Sequence, residues 1–388
     1  MTKNTTLNIV CDESIPFGPE AFSQFGSVIT FPGREITPDL LKSTDVLIVR
    51  SITKVDEELL KNTPVKFVGT ATIGTDHIDT DYIKRSGIHF ASAAGCNSNS
   101  VKEYVLTAIF ELSVKYNFII EGMVIGIFGA GNIGSKVRSA AEALGMKVLV
   151  SDPPLYRKTG DRKYNSLRSL SECDVVTLHV PLTFDGEDKT FRLIDEEKIR
   201  SLKENAILIN TSRGGVVDER GLLKACAKKN IRKVFDVWEN EPDFNTGFAD
   251  VCDIATPHIA GYSYEGKVNG TRMIYNSLCD YLGAARSWTA SLLPVNNPVI
   301  VTANDVSDEK FFYQITSSAY NIMKDDERFR EGARSANPGK EFDLMRKNYP
   351  VRREFSNYRV RTGGQNKNLL QKVEKTGFLL SLESDGDN

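Results

Sequence analysis

Three residues of different chemistry follow three short apolar runs in the second half of the chain. After residues 206–210 comes Thr211-Ser212-Arg213-Gly214-Gly215. After 233–237 comes Trp238-Glu239-Asn240-Glu241-Pro242, and after 254–256 comes Pro257-His258-Ile259-Ala260-Gly261. If these runs are parallel strands, their carboxyl ends share one rim, where open α/β sheets bind ligands. The combination suits oxidation of a 2-hydroxy acid. The planar fork of Arg213 can grip a carboxylate and polarise the oxygen on the reacting carbon. His258 can take the hydroxyl proton, because imidazole titrates near working pH. Glu241 can accept the other ring N–H and fix the tautomer. Asp236, at the end of its strand, either holds a nicotinamide amide or supports the cluster. Taken singly, each has a bland alternative: an Arg or Glu at a strand end is usually solvated, and a His after Thr-Pro is often structural. Found together at three strand ends, they favour chemistry. Of the other histidines, His77 is a candidate for the substrate cleft, while His89 and His179 read as structural.

A hydride acceptor has to lie beside that rim, and residues 123–134 supply a place for one. An apolar run ends in Gly129-x-Gly131-x-x-Gly134. Gly129 permits a tight turn, Gly131 lets backbone approach a pyrophosphate, and Gly134 lets the following helix lie close to the strand. The amides of Asn132 and Ile133, at the positive end of that helix, then face the anion. In a chain with 29 glycines the spacing alone is weak, so context decides. A helical pattern (Ile133, Val137, Ala140, Ala141, Leu144) follows, Gly145 sits where it would stop, and the next apolar run ends in Ser151-Asp152. Asp152 lies close to the expected ~20 residues past the glycines, where a carboxylate accepts from both ribose hydroxyls and repels a 2′-phosphate. The expected cofactor is therefore NAD rather than NADP.

The elements that must position these residues alternate along the chain. Strands are expected at residues 7–11, 27–30, 46–49, 65–69 and 88–91, with helices near Ala21 and at 56–60 and 79–84. A helix at about 99–115 leads into the glycine motif. The later strands, 147–150, 175–178, 206–210, 233–237 and 254–255, have the continuous apolar character of parallel strands covered on both faces. This order predicts a doubly wound dinucleotide domain inserted in a first α/β domain, to which a helix at 264–282 returns. Residues 292–298 read as a linker. Beyond it, 305–323, 341–346 and 354–360 predict a small third α+β unit ending in a polar tail.

Composition sets the outer limits. At 388 residues the chain exceeds one hydrophobic core, and 40% apolar with 26% charged residues describes an ordinary globular protein. A net charge of −2 offers no general attraction to nucleic acid or anionic lipid, so an anionic substrate must meet local basic groups. Six cysteines without CxxC spacing read as reduced thiols of a cytoplasmic protein, not as a zinc site. Residues 119–130 include Glu121 and are too short to span a bilayer. Residues 1–6 lack the apolar core of a secretory signal.

The strand-end residues, in the order half-domain, glycine motif, Arg, Glu, His, resemble the D-2-hydroxyacid dehydrogenase family. Narrower likenesses to one branch lie in Val49-Arg50-Ser51-Ile52-Thr53-Lys54-Val55, in residues 69–79, in Gly95-Cys96-Asn97, Asp152-Pro153-Pro154 and residues 256–262. Phe342-Asp343, Arg346-Lys347-Asn348-Tyr349 and Arg352-Arg353-Glu354 extend the likeness into the third unit. The resemblance implies a Rossmann-like NAD domain (99–258) inserted in a flavodoxin-like substrate domain (1–98 and 259–290), with a C-terminal domain (291–388) that serves dimerisation. It implies Arg213, Glu241 and His258 as the catalytic group. Asp152, Thr211, Ser212, Asp236 and Gly261 would contact NAD, alongside Arg213, and Ser51, Thr72 and Tyr262 would contact a phosphorylated hydroxy acid. Two departures stand out: Val180 occupies a cofactor-loop position where Thr is frequent, and the segment after Gly363 matches poorly. Such a substrate is anionic at both ends, and Arg213 can serve only one. Arg50 and one of Arg352 or Arg353 are the candidates for the distal phosphate, against the alternative that the Arg pair is a solvated or ion-pairing face. A different hydroxy acid, such as 3-phosphoglycerate, and an NAD-sensing binding protein stay open. If Arg213 grips a carboxylate with two prongs, Arg213→Lys lowers kcat/KM sharply in steady-state assays; wild-type kinetics would exclude that grip.

Overall fold

The computed structural model describes residues 6–294, 299–300, 306–361 and 367–381. The linker expected at 292–298 falls partly outside this range and the polar tail wholly outside. The chain divides into two compact units, residues 1–97 with 263–294, and 98–262 with 295–388.

In the first unit, five parallel strands, β1 (Leu7–Asp12), β2 (Gly26–Phe31), β3 (Val46–Val49), β4 (Phe67–Thr70) and β5 (His89–Ser92), lie in the order β2-β1-β3-β4-β5. Alternate residues serve two cores. Ile9, Ile48 and Phe67 meet Ile274, Tyr275 and Leu278 of the helix Tyr264–Leu282, while Val10, Leu47 and Val68 meet Leu59, Leu60 and Ile83. Two-sided burial explains why β3 and β4 read as unbroken apolar runs. The acidic residues that opened the predicted helices prove to be N-caps: Asp56 accepts from Leu59 N–H and Asp79 from Tyr82 N–H.

The second unit has six parallel strands, β6 (Val124–Phe128), β7 (Lys147–Ser151), β8 (Val175–Leu178), β9 (Ile207–Asn210), β10 (Arg232–Phe235) and β11 (Ile254–Ala255), ordered β11-β10-β9-β8-β6-β7. The chain winds outward from β6 to β7, then returns past β6 to β8. The order therefore reverses between β6 and β8, the switch point at which such sheets bind nucleotides.

The C-terminal segment belongs to this second unit. Helices Asp308–Ala319, Ile322–Ala333, Pro338–Lys347 and Lys367–Thr376 accompany a small parallel sheet, β12 (Val299–Ile300), β13 (Arg359–Arg361) and β14 (Leu379–Leu380). Phe311, Phe312 and Ile315 share a core with the helix Ser98–Tyr116, and the Phe110 and Phe312 rings stack at 5.0 Å. On the other side, Phe329 and Phe342 join the core of Trp238, Phe244 and Phe248. Buried polar groups complete the junction. Lys102 donates to the Thr376 carbonyl at 2.7 Å, and Glu354 accepts from the Ser100 hydroxyl at 2.9 Å and the Asn99 amide at 3.2 Å. The helix Ser98–Tyr116 is thus enclosed over most of its length, up to Ser113, which is why even Lys102 and Glu103 are buried. Burial pushes the Glu103 carboxyl up to about 8.

A segment built into the core in this way unfolds with the core. Phe312→Ala costs about 3–5 kcal/mol, and urea melts followed by nucleotide-domain signals shift as a whole. An early transition confined to the C-terminal helices would contradict the shared core.

Candidate active site

The glycine loop is built for close approach. Gly129 has φ +83°, and a Cβ there would lie 2.5 Å from the His179 carbonyl at the end of β8. A Cβ on Gly134 would lie 1.9 Å from the Gly129 carbonyl, so the helix Asn132–Ala143 can sit this near to β6 only with glycine. A Cβ on Gly131 would meet no protein atom within 4 Å, and no side chain caps that helix N-terminus. Its first amides therefore point at open space that suits a pyrophosphate. Asp152 ties the loop to β7: one carboxylate oxygen accepts from Ala130 N–H at 2.7 Å and the other from Leu155 N–H at 2.9 Å. A carboxylate has about four acceptor sites, so capacity remains for ribose hydroxyls. Val180 packs below Gly129, its Cγ1 3.0 Å from where a Cβ would stand. The donor set and the open glycine surface fit NAD.

After β9, Asn210 shapes the next loop. Its side-chain oxygen accepts from Ser212 N–H at 3.1 Å and the Ser212 hydroxyl at 2.8 Å, and its amide donates to the Arg213 carbonyl at 2.9 Å. Ser212 and Thr211 are buried. Thr211 Oγ1 lies 3.5 Å from His179 Nδ1, and burial pushes this imidazole down to about 3, so His179 is a neutral structural residue. Arg213 is partly exposed and donates to the Ser212 carbonyl at 2.7 Å. Gly214 brings this loop against the next: a Cβ there would lie 2.0 Å from the Trp238 carbonyl group and 2.3 Å from Glu239 N. Arg213 and Glu241 therefore project from backbone segments in direct contact.

The third loop carries the histidine. Asp236 is 1% exposed. Its oxygens accept from the Thr256 hydroxyl at 2.6 Å, Ile259 N–H at 2.8 Å and Ala260 N–H at 2.8 Å. Thr256 gives its only proton to Asp236, so the Tyr104 hydroxyl must be the donor in its 2.7 Å contact with Thr256 Oγ1. Burial pushes the Asp236 carboxyl up to about 6, against the pull of the His258 charge and these donors. Wrapped round Asp236, the loop holds His258 at φ +57°, a left-handed conformation costly for a residue with a Cβ. That turn sets His258 Nδ1 2.7 Å from Glu241 Oε2, while Glu241 Oε1 accepts from Trp238 N–H at 2.9 Å. Burial alone would raise the Glu241 carboxyl. The charge and hydrogen bond of His258, the Arg346 guanidinium and Trp238 N–H together bring it below its ordinary value. An ionised carboxylate only accepts, so the proton of this pair sits on Nδ1, and Nε2 is the nitrogen left for a substrate hydroxyl.

Of the remaining candidates, Gly261 and Tyr262 follow directly on the His258 loop, with the Tyr262 ring 5.8 Å from Tyr349. Arg50, Ser51 and Thr72 lie in the first unit, after β3 and β4; Thr72 Oγ1 is 2.8 Å from Thr70 Oγ1, which also holds His77 Nε2 at 3.0 Å. Arg352 is a correction. It is 6% exposed, donates to the carbonyls of Ala260 at 3.2 Å and Ser100 at 2.6 Å, and lies 3.9 Å from the Tyr320 ring centroid. It fastens the C-terminal segment to the His258 loop and has no place in a phosphate site. Arg353 is half-buried and donates to Asn357 at 2.9 Å. The sequence reading missed Glu219, a buried acid accepting from Glu239 N–H at 2.8 Å and pushed up to about 7 by burial. It also missed Tyr104 and any role for Arg346, whose guanidinium lies 5.7 Å from the Tyr262 ring centroid.

The chain matches known proteins along most of its length. Residues 103–260 match the model of the D-isomer specific 2-hydroxyacid dehydrogenase NAD binding domain, and residues 292–377 match a domain of unknown function. Over 96% of its length the chain is 43% identical to the whole erythronate-4-phosphate dehydrogenase of Shewanella halifaxensis. It is 41% identical, over the same share of its length and 98% of the relative's, to that of Salmonella arizonae. The chain belongs to the erythronate-4-phosphate dehydrogenase family. Its fold matches NAD+-bound 3-phosphoglycerate dehydrogenase of Entamoeba histolytica at TM-score 0.61 and 26% identity, over 74% of this chain and 99% of that one. D-lactate dehydrogenase of Aquifex aeolicus, complexed with NAD and lactic acid, matches at TM-score 0.54 and 26% identity, over 71% and 95%. Each match thus leaves about a quarter of this chain uncovered. The chain is an NAD-dependent dehydrogenase of this family.

The contact at Gly214 gives a test of the shared scaffold. Gly214→Ala forces the Arg213 loop off the Trp238–Glu239 backbone. Turnover should fall by about 10²-fold, the scale of an ångström's misplacement, while NAD affinity by fluorescence titration changes little. Unchanged turnover would show that the two loops move independently.

Proposed function

We propose that this protein oxidises 4-phospho-D-erythronate at C2 with NAD, giving 2-oxo-3-hydroxy-4-phosphobutanoate in pyridoxal 5′-phosphate synthesis. The observation that carries the reading is the 2.7 Å contact of His258 Nδ1 with Glu241, which leaves Nε2 to take the C2 hydroxyl proton. NAD, when bound, accepts the C2 hydride at its nicotinamide ring. Arg213 grips the substrate carboxylate and polarises the C2 oxygen. The imidazolium formed at His258 is stabilised by the ionised Glu241 beside it. Gly129, Gly131, Asn132, Ile133 and Gly134 hold the pyrophosphate, Asp152 the ribose, and Thr211, Ser212 and Gly261 line the remaining cofactor surface. Asp236, already accepting three hydrogen bonds, shapes the His258 loop.

Ser51, Thr72 and Tyr262 are the proposed substrate contacts. With Arg352 committed to backbone carbonyls, Arg50 and Arg353 are the cations proposed for the distal phosphate. The protein would work in the cytoplasm, consistent with six cysteines that form no disulfide, as a homodimer assembled through the C-terminal segment. Among the described residues no helix is long and apolar enough to cross a membrane. The 43% identity to an erythronate-4-phosphate dehydrogenase, against 26% to a 3-phosphoglycerate dehydrogenase, favours the four-carbon substrate.

Purified protein incubated with 4-phosphoerythronate and NAD should form a product two mass units lighter than the substrate, one hydride and one proton being removed. Turnover of 3-phosphoglycerate instead would redirect the substrate assignment, and tight NAD binding with no NADH formed on any acid would favour a sensor. Arg50→Ala and Arg353→Ala should weaken phosphorylated inhibitors more than unphosphorylated ones; an unchanged preference for phosphate would remove both residues from that role.

A further inference from the structure

The C-terminal helix Pro338–Lys347 lies on the loop that carries Glu241. A Cβ on Gly339 would stand 2.5 Å from Asp243 Oδ1 and 3.4 Å from the Pro242 carbonyl, and the Phe342 ring lies 5.6 Å from Phe244. Arg346 is one turn beyond Phe342, on the same helix face. Its guanidinium lies 5.5 Å from the Phe342 ring centroid and 5.7 Å from that of Tyr262. Its Nε is buried without a hydrogen-bond partner. Tyr262 and Glu241 both act electrostatically on it.

We propose that Arg346 is a positioning residue of the active site, the fixed cation that orients Tyr262 and, with His258, neutralises Glu241. The C-terminal segment is then part of the catalytic apparatus, in addition to any role in assembly. Because the packing of Gly339 and Phe342 fixes the helix, the charge is delivered without ordering a surface side chain. The ring faces of Phe342 and Tyr262 favour a guanidinium, which is planar and weakly hydrated.

Other charges bear on the same carboxylate. His258 faces Glu241 from the 256–261 loop, with Asp236 behind it. Glu219 approaches from the helix Glu219–Cys226, itself acted on by Glu239 of Glu241's own loop, while Asp343 lies beside Arg346 on its helix. After His258, Arg346 is the largest cationic influence on Glu241, and the neighbouring acids oppose it. Removing it favours the protonated forms of the Glu241–His258 pair.

The inference rests on Glu241 and His258 as the acid–base pair, and its test does not require the substrate to be known. Imidazole NMR of the full-length protein, with four histidines, follows the titration of His258 directly. In Arg346→Met the His258 midpoint should rise by about half a pH unit or more, and Arg346→Lys should restore most of it. With 4-phosphoerythronate, kcat should fall about tenfold and the acid limb of kcat/KM should move to higher pH, while NAD affinity holds. An unmoved midpoint in folded Arg346→Met overturns the proposal, as does an equal effect in Arg346→Lys. If Arg346→Met does not fold, Arg346→Lys against Arg346→Gln makes the same comparison of charge. Wild-type protein inert towards 4-phosphoerythronate would remove the substrate assignment and leave the titration as the test of Arg346.

Discussion

The hydrogen bond between His258 Nδ1 and Glu241 Oε2 is the interaction around which the second unit is organised. It needs an ionised acceptor in a half-buried place and an imidazole held in a backbone conformation that its Cβ disfavours. Neither would persist alone. The buried Asp236 folds the loop so that His258 turns towards Glu241. Trp238 N–H and two neighbouring cations keep Glu241 an acceptor. The lower-lying supports, Tyr104 on Thr256 and Trp238 Nε1 on the Thr256 carbonyl at 2.9 Å, extend this constraint into the core.

The constraint also explains where the C-terminal segment goes. Phe329 and Phe342 complete the aromatic core beneath Trp238 and Phe244. Arg352 ties Ala260, within the histidine loop, to Ser100 at the start of the long buried helix. A loop carrying strained backbone and a buried carboxylate gains rigidity from being enclosed on both sides. Related folds of about three quarters this length lack a counterpart for part of the chain. Here the C-terminal segment packs against the histidine loop and the aromatic core beneath it.

Much of this was legible in the sequence, for identifiable reasons. Strands buried on both faces announce themselves as apolar runs, and Arg213, Glu241 and His258 follow their ends by three, six and three residues. The glycine motif was legible because its three positions are ones where a side chain would collide or obstruct. Less legible were residues whose importance comes from what they touch. Arg352 and Arg353 are neighbours of one type, yet Arg352 is enclosed by two carbonyls and a tyrosine ring while Arg353 meets Asn357. Asp236 could have served cofactor or loop; the three donors around it establish the loop role, and they lie beyond any local sequence pattern. Glu219, Tyr104 and Arg346 gave no local pattern at all, because their partners are distant along the chain. The third segment was expected as a separate α+β unit. Its helix Ile322–Ala333 is charged on its outer face, and its strands are two or three residues long, too short for alternation to show.

A double-mutant cycle on Glu241 and His258 tests the central pairing most directly, with kcat/KM measured for the wild type, Glu241→Gln, His258→Ala and the double variant. His258→Ala should lose about 10²–10⁴-fold. If Glu241 acts through the imidazole, adding Glu241→Gln to that variant should cost almost nothing more. Losses that multiply independently in the double variant would mean that carboxylate and imidazole do not work as one unit, and the account built on their contact would fail.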